Sequence, residues 1–599
     1  MKKYSEIVTD WLLELGYTHC FFVSGGNVMH LLDSASRKFK CVPFIHEVGA
    51  GIACDYFNEI SDKQKAFVLV SAGPALTNTV TAIASAWTES RELLVIAGQS
   101  KSTEIGKGKY RQIGFQEIDG ISICQGITKS SFRIEALVSA DNFVQEVLKS
   151  RIPRKGPVYI EFCLDVSQMM VDETLPIFRF DNPREIPKHH STDLQNLVNE
   201  VVEEIETAER PLILLGGGLE RSTTPKAVEK LAKVGIPIAT TFNGADRITS
   251  DYENYAGRPN WYGSRWSNLI IQQTDYVLAL GTRLGLLQVG YNWKEFAPLA
   301  KITQVDIDVA ELNKGFPVLH RKINEDANSF LELIANKLEE KKFKYTNIDF
   351  INLIKRARYK FDMADPENHI NKQYLELNEF VQQIFLLSNT GDLFSPCSSG
   401  ATYEGSMKVL GVKKNQKIVT SHALASMGFG LTGGIGLSFA EPNKRVIVFE
   451  GDGGFAQNLQ ELSTVCANQL NMKIFIMDNG GYMSIKRNQQ RAFGGQYVGC
   501  DSKSGLKLPN WEQIGNAFNL PTLTLTPQNV KSSRFYELFE NKMPAIFVVK
   551  IDPEQNNFPN ILSKVGIDGS VRSNALHEMN PELKKIEKIE YLPYIKSYI

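Results

Sequence analysis

The segment best equipped for chemistry begins where an apolar run at 446–450 meets Gly451-Asp452-Gly453-Gly454. Asn479 follows 27 positions after Asp452, within Asp478-Asn479-Gly480-Gly481-Tyr482 and directly after a second apolar run. One helix and one strand of a parallel unit fill that interval, so the two side chains emerge at neighbouring strand ends and can share one ion. A carboxylate, an amide oxygen and a backbone carbonyl are hard donors suited to Mg2+, which keeps positions for phosphate oxygens and water. Room remains for two oxygens of a diphosphate. The glycines let backbone approach closely, and free N–H groups at the start of the following helix favour an anion. Either half alone is a common turn, but both halves at this spacing form a pattern with a mechanism.

A second constellation is His46-Glu47, opening a helix rich in small residues, with a turn at 71–78 downstream. Taken alone, a glutamate that begins a helix is ordinarily a surface residue favoured by the helix dipole. A third segment, 421–439, is apolar and rich in glycine. It has no GxGxxG between strand and helix, so a nucleotide loop does not fit, and a tightly packed helix start is the plain alternative.

The elements that must position these residues follow a βαβ rhythm. Apolar runs predicted as buried strands lie at 66–70, 93–97, 158–163, 212–215, 276–280, 302–307, 446–450, 474–477 and 545–551, with helical patterns between them. In doubly wound parallel sheets, ligands sit at the carboxyl ends of such strands. The 599 residues exceed a single core, and at roughly 150 residues per domain three domains are expected. A polar, Pro-bearing stretch at 181–192 reads as a linker, and 341–349 as a second break. The tail at 556–599 lacks strand periodicity and is expected to wrap the surface or the site entrance.

Composition narrows the function classes. The 43% hydrophobic and 22% charged fractions are those of a globular protein. With 66 Lys+Arg against 67 Asp+Glu and no long block of one sign, nucleic acid and anionic membranes are poor partners. Eight scattered cysteines without a CxxC pair favour reduced thiols and a cytoplasmic location. Residues 1–16 read as an amphipathic helix rather than a signal peptide, and no apolar run approaches the roughly 18 residues of a membrane span.

The stretch from Gly451 to Tyr482 closely resembles the cofactor signature of thiamine-diphosphate enzymes, which opens with Gly-Asp-Gly and usually closes with two asparagines. The resemblance puts Asp452, Asn479 and the carbonyl of Gly481 on the metal-ligand positions. The first asparagine is replaced by Asp478, which is not a usual side-chain ligand. The segments FFVSGGNVMHLLD, ELLVIAGQ, YRQIGFQEID, GPVYIEFCLDV and QVDIDVAEL extend the similarity over nearly the whole chain and narrow it to the acetolactate synthase-like branch. This implies an α/β fold of three doubly wound parallel-sheet domains: pyrimidine-binding over 1–180, central over 190–345 and diphosphate-binding over 370–555, followed by a tail over 556–599.

In that resemblance Glu47 hydrogen-bonds the aminopyrimidine ring of the cofactor and favours the tautomer that takes a proton from the thiazolium carbon. An apolar burial site would support this by raising the carboxyl pKa. Gly73 and Asn78 belong to the accompanying turn, with Ala75 where a second glycine is usual. Ala425 offers a carbonyl to the exocyclic amine, and Met427 is the apolar wedge that bends the cofactor. Gly451, Gly453, Gly454, Tyr482 and Met483 complete the implied cofactor contacts, while His46, Gln116 and Gly25 lie near the reacting carbon. Gly216, Gly217, Gly218, Arg283 and Asp306 match positions around FAD. The charged stretch usual after that arginine is Leu284-Gly285-Leu286-Leu287-Gln288 here, which leaves FAD open and removes the cation expected to meet a ketoacid acceptor.

The function so implied is a thiamine-diphosphate- and Mg2+-dependent decarboxylating carboligase acting on a 2-ketoacid, with pyruvate as donor. Alternatives are carboligation onto an aldehyde, ketone or keto-sugar, simple decarboxylation, or a catalytically silent homologue that keeps the cofactor. The family's sites lie between the first domain of one subunit and the third of its partner, so a homodimer or tetramer is expected.

Overall fold

The computed structural model describes residues 1–180, 193–361, 365–565 and 567–595. The linker read at 181–192 lies outside the described residues.

Three parallel sheets follow one another along the chain. The first contains Tyr17–Phe22, Lys40–Pro43, Lys65–Val70, Leu93–Gln99, Ser130–Ile134 and Pro157–Cys163, in the order second, first, third, fourth, sixth, fifth. The third contains Leu393–Pro396, Lys417–Ile418, Val446–Gly451, Met472–Asp478, Thr522–Leu525 and Ala545–Lys550 in the same order. Between them lies a five-stranded sheet of Pro211–Leu215, Ile238–Thr240, Tyr276–Leu280, Lys301–Val305 and Arg321–Ile323. In each, the first strand pairs with both the second and the third, which creates the crevice at the strands' carboxyl ends where such folds place ligands. The strand read at 302–307 stops at Val305, because the Asp306 carboxylate accepts the N–H of Asp308 at 2.9 Å and turns the chain.

The first and third sheets are joined by two helices of small residues. Glu47–Ile60 packs along Phe429–Ala440 so closely that a Cβ on Gly436 would fall 2.0 Å from the Ala53 carbonyl oxygen, and one on Gly433 would fall 2.3 Å from the Tyr56 ring. Glycine and alanine at these positions therefore answer to a backbone-to-backbone approach. They say nothing of a nucleotide.

The tail departs from expectation. It forms two short antiparallel ladders, Asn560–Ile561 with Met579–Asn580 and Ser563–Val565 with Val571–Ser573, followed by the helix Lys585–Tyr591. It seats Leu576, Met579, Leu583, Leu592 and Ile595 in the hydrophobic core of the central sheet. Strands of two or three residues are too short to show a period in sequence. No helix among the described residues is long and apolar enough to cross a membrane, and all eight cysteines are free.

Candidate active site

Asp452 begins the helix Asp452–Asn458 at the end of its strand and is 1% exposed. One of its carboxylate oxygens accepts the Gly453 N–H at 2.7 Å. The other accepts three, from Asn479 at 3.1 Å, Gly480 at 2.8 Å and Gly481 at 3.0 Å. The two motifs read 27 positions apart are thus in direct contact. Burial pushes the Asp452 carboxyl up to about 7, with the Asp478 carboxylate adding to the rise and the backbone N–H groups opposing it. A carboxylate so held is poised for a cation that would relieve its desolvation.

The second donor sits beside it. Asn479 Oδ1 is buried and has no hydrogen-bond partner, an orphaned acceptor of the kind that a metal ion satisfies. Its amide nitrogen faces Met483 Sδ at 4.0 Å. Gly481 has φ +146°, and a Cβ there would strike the Cys500 carbonyl oxygen at 2.1 Å, so only glycine fits. Gly453 is similarly confined by the Tyr482 ring at 2.3 Å, and Gly454 by Glu450 Oε1 at 2.6 Å. Among the described residues no three His, Cys, Asp or Glu side chains gather into a metal cluster. A single carboxylate, an amide oxygen and a backbone carbonyl instead suit Mg2+ that also binds phosphate oxygens.

Asp478, the departure from the family pattern, is paired with a lysine. It lies in register with Lys550 on the adjacent strand and accepts a charge-assisted hydrogen bond from the Lys550 ammonium.

A second half-site lies at the crevice of the first sheet. Glu47 begins its helix with half-exposed side chain, and its Oε2 accepts from Asn78 Nδ2 at 3.0 Å. Gly73 has φ +58° and packs on Gln116, whose carbonyl oxygen would lie 2.4 Å from an added Cβ. Gln116 itself adopts φ +61°, an uncommon conformation for a residue with a side chain and one often found at functional sites. Gly25 abuts Ser71, at 2.4 Å from a would-be Cβ. Glu47, His46, Asn78, Gly73, Gln116 and Gly25 therefore occupy one end of the first sheet. Among the described residues no hydrogen bond or ion pair links Glu47 or Asn78 to Asp452 or Asn479 within the chain.

A further predicted segment precedes the helix Phe429–Ala440. Ala425 has φ +56° and is exposed, Met427 is half-buried, and the Ser398 hydroxyl donates to the Ser426 carbonyl. Met427 thus remains partly open to solvent.

The crevice of the central sheet opens into a cavity of about 840 Å3 lined by Gly217, Gly218, Arg283 and Asp306. Gly216 lies just beneath, where a Cβ would meet the Gly281 carbonyl oxygen at 2.1 Å. Burial pushes the Asp306 carboxyl up to about 6. Glu59, Glu89, Arg91, His422 and Ala423 from the flanking sheets reach the same cavity. None of these flanking residues was legible in sequence, because their roles arise from contacts between distant segments.

The chain matches the thiamine pyrophosphate enzyme N-terminal TPP binding domain over residues 2–123, the central domain over 198–334 and the C-terminal TPP binding domain over 399–549. It is 27% identical over 585 residues to the acetolactate synthase large subunit of Lactococcus lactis, covering 93% of this chain and 94% of that protein. It is also 27% identical over 565 residues to the acetolactate synthase isozyme 1 large subunit of Escherichia coli, covering 93% and 95%. A probable acetolactate synthase large subunit of Methanocaldococcus jannaschii is 26% identical over 619 residues, with both chains fully covered. Three domain matches in the order of the three sheets, with relatives aligned over nearly their full length, place this chain in the thiamine pyrophosphate enzyme family, on its acetolactate synthase-like large-subunit branch.

Proposed function

We propose that the chain is a Mg2+-dependent decarboxylating carboligase of 2-ketoacids, with pyruvate as donor. The observation that carries this reading is the pairing of a buried, fourfold hydrogen-bonded Asp452 with the orphaned Oδ1 of Asn479. Asp452, Asn479 Oδ1 and the Gly481 carbonyl would hold the metal, with Gly451, Gly453 and Gly454 admitting the diphosphate. Thiamine diphosphate, when bound, supplies an acidic thiazolium carbon and an electron sink for decarboxylation.

The chain's own side chains govern protons and orientation. Glu47, fixed by Asn78, would hold a proton at the pyrimidine ring nitrogen, with Gly73 leaving space for the ring. Ala425 would accept from the exocyclic amine, Met427 would impose the bend, and Tyr482 and Met483 would line the diphosphate end. His46, Gln116 and Gly25 would border the substrate.

A homodimer with shared sites is part of this reading, Glu47 of one chain facing Asp452 of the other. Exposed apolar side chains support it: Tyr110, Ile113 and Phe115 beside the first half-site, and Ile485, Phe493 and Val498 beside the second. The free thiols suit a reducing cytosol. Gly216, Gly217, Gly218, Arg283 and Asp306 would admit FAD to the central cavity.

A second reading concerns the acceptor. The segment after Arg283 runs Leu284 to Gln288 without charge, so a carboxylate-bearing acceptor loses a natural partner there, and an aldehyde, ketone or keto-sugar fits as well. Incubation of purified protein with thiamine diphosphate, Mg2+ and labelled pyruvate, alone and with candidate acceptors, tests both. Release of labelled CO2 is expected. Its absence with every simple 2-ketoacid sinks the proposal and leaves the catalytically silent homologue, whereas rapid acetolactate formation from pyruvate alone removes the case for another acceptor.

A further inference from the structure

The first and third sheets share one strand order, and two carboxylates cross between them in opposite directions. Glu461 closes the turn Leu459–Glu461 that continues the helix after the third strand of the third sheet. Glu89 closes the helix Pro74–Glu89 after the third strand of the first sheet. Each reaches across to the other sheet. Glu461 is fully buried and accepts the backbone N–H of His46 at 3.0 Å and of Ile45 at 3.4 Å, with the Thr464 hydroxyl at 2.8 Å. Those two amides form the turn directly before Glu47. Conversely, Glu89 accepts the backbone N–H of His422 and that of Ala423 at 2.6 Å, in the turn that leads to Ala425 and Met427, while Asn243 Nδ2 holds its second oxygen at 2.5 Å.

We propose that Glu461 and Glu89 are reciprocal positioning residues, Glu461 fixing the turn that presents Glu47 and Glu89 fixing the turn that presents Ala425 and Met427. The inference rests on the thiamine-diphosphate reading of those residues. Among the described residues neither carboxylate hydrogen-bonds to a side chain read as holding thiamine diphosphate or Mg2+; each acts through two backbone amides. A charged acceptor shared by two consecutive N–H groups is a strong and directional tether, and a turn freed from it can shift by the fraction of an ångström that acid–base geometry does not tolerate. Gly49 belongs to the same device, because a Cβ there would lie 2.9 Å from Glu461 Oε1 and displace the carboxylate.

Three measurements on the full-length protein separate this from packing alone: thermal unfolding without cofactor, calorimetric affinity for thiamine diphosphate with Mg2+, and deuterium exchange at the thiazolium carbon of bound cofactor. Glu461→Ala is expected to slow exchange about tenfold or more, a share of what a placed acid–base group supplies. Its cofactor affinity should stay within about threefold, because Asp452 and Asn479 are untouched. Glu89→Ala is expected to weaken affinity about tenfold through the loosened Ala425 and Met427 support. Glu461→Gln keeps the volume and one accepting oxygen, should recover part of the exchange rate, and carries the test if the alanine variant fails to fold. Gly49→Ala should mimic Glu461→Ala. Wild-type exchange in a folded Glu461 variant overturns the positioning role alone. Failure of the wild-type protein to bind cofactor overturns this inference together with the thiamine reading.

Discussion

Asp478 and Lys550 stand opposite each other on adjacent parallel strands, Cα in register and the ammonium donating to the carboxylate. The chain thus replaces an expected asparagine with an acid and supplies its counter-charge in the neighbouring strand. Asp478→Asn should leave Mg2+-dependent cofactor affinity within about threefold by calorimetry, since the side chain is engaged by Lys550. Lys550→Met should lower stability by only about 0–1 kcal/mol, as befits a partly exposed pair. A large loss of cofactor from Asp478→Asn would mean that this carboxylate has a direct part in binding.

Removal of Asp452 has a different consequence. Asp452→Ala would strand four backbone N–H groups as well as remove a metal donor. Cofactor affinity should fall at least about 100-fold, and added Mg2+ should no longer raise the unfolding temperature. Asn479→Ala, which deletes the orphaned oxygen, should follow the same direction with a smaller loss of apoprotein stability.

Glu47→Gln isolates proton control from binding. It retains the volume and can keep one hydrogen bond with Asn78, so cofactor should still bind, while turnover should fall by roughly 10²–10⁴-fold. Turnover near the wild-type rate would remove Glu47 from its assigned role.

The pH response of the central cavity follows from Asp306. Burial raises its carboxyl to about 6, so folding leaves it neutral below that value and charged above. A raised acid contributes stability that is present below its unfolded pKa and lost as pH rises through about 6, and Asp306→Asn should flatten that slope. A ligand that donates a hydroxyl to the carboxylate should bind FAD-like at pH 7.5 and weaken as pH drops below about 6, which flavin fluorescence can follow. PH-independent flavin binding would exclude Asp306 as its partner.

Gly436→Ala tests the joint between the first and third sheets. The added methyl would meet a backbone carbonyl, which cannot swing aside, and should cost about 1–3 kcal/mol in unfolding measurements.

Much of this was legible in sequence. Strands such as Tyr276–Leu280 and Val446–Gly451 lie inside parallel sheets with both faces covered, so they read as unbroken apolar runs. Edge or short strands did not: Lys417–Ile418 has two residues, and Ser130–Ile134 and Thr522–Leu525 are half-exposed and polar. At the site, Asp452 and Asn479 could be paired because one βαβ unit fixes their spacing. Glu461 and the His46 amide, 415 positions apart, meet only through the packing of two sheets, which no local pattern encodes.

The docking of the tail makes the chain a closed circuit. After its last long strand it returns to the central sheet, where the Arg265 guanidinium donates to the Pro581 carbonyl at 2.6 Å and the Gln273 amide to the Tyr591 carbonyl at 2.9 Å. The central sheet is therefore fastened to the third by one covalent path, the chain that leads into it, and by a return segment docked through hydrogen bonds and apolar packing. A single nick between them would leave the pieces associated, so limited proteolysis there should yield fragments that co-migrate in native gels and part only on denaturation.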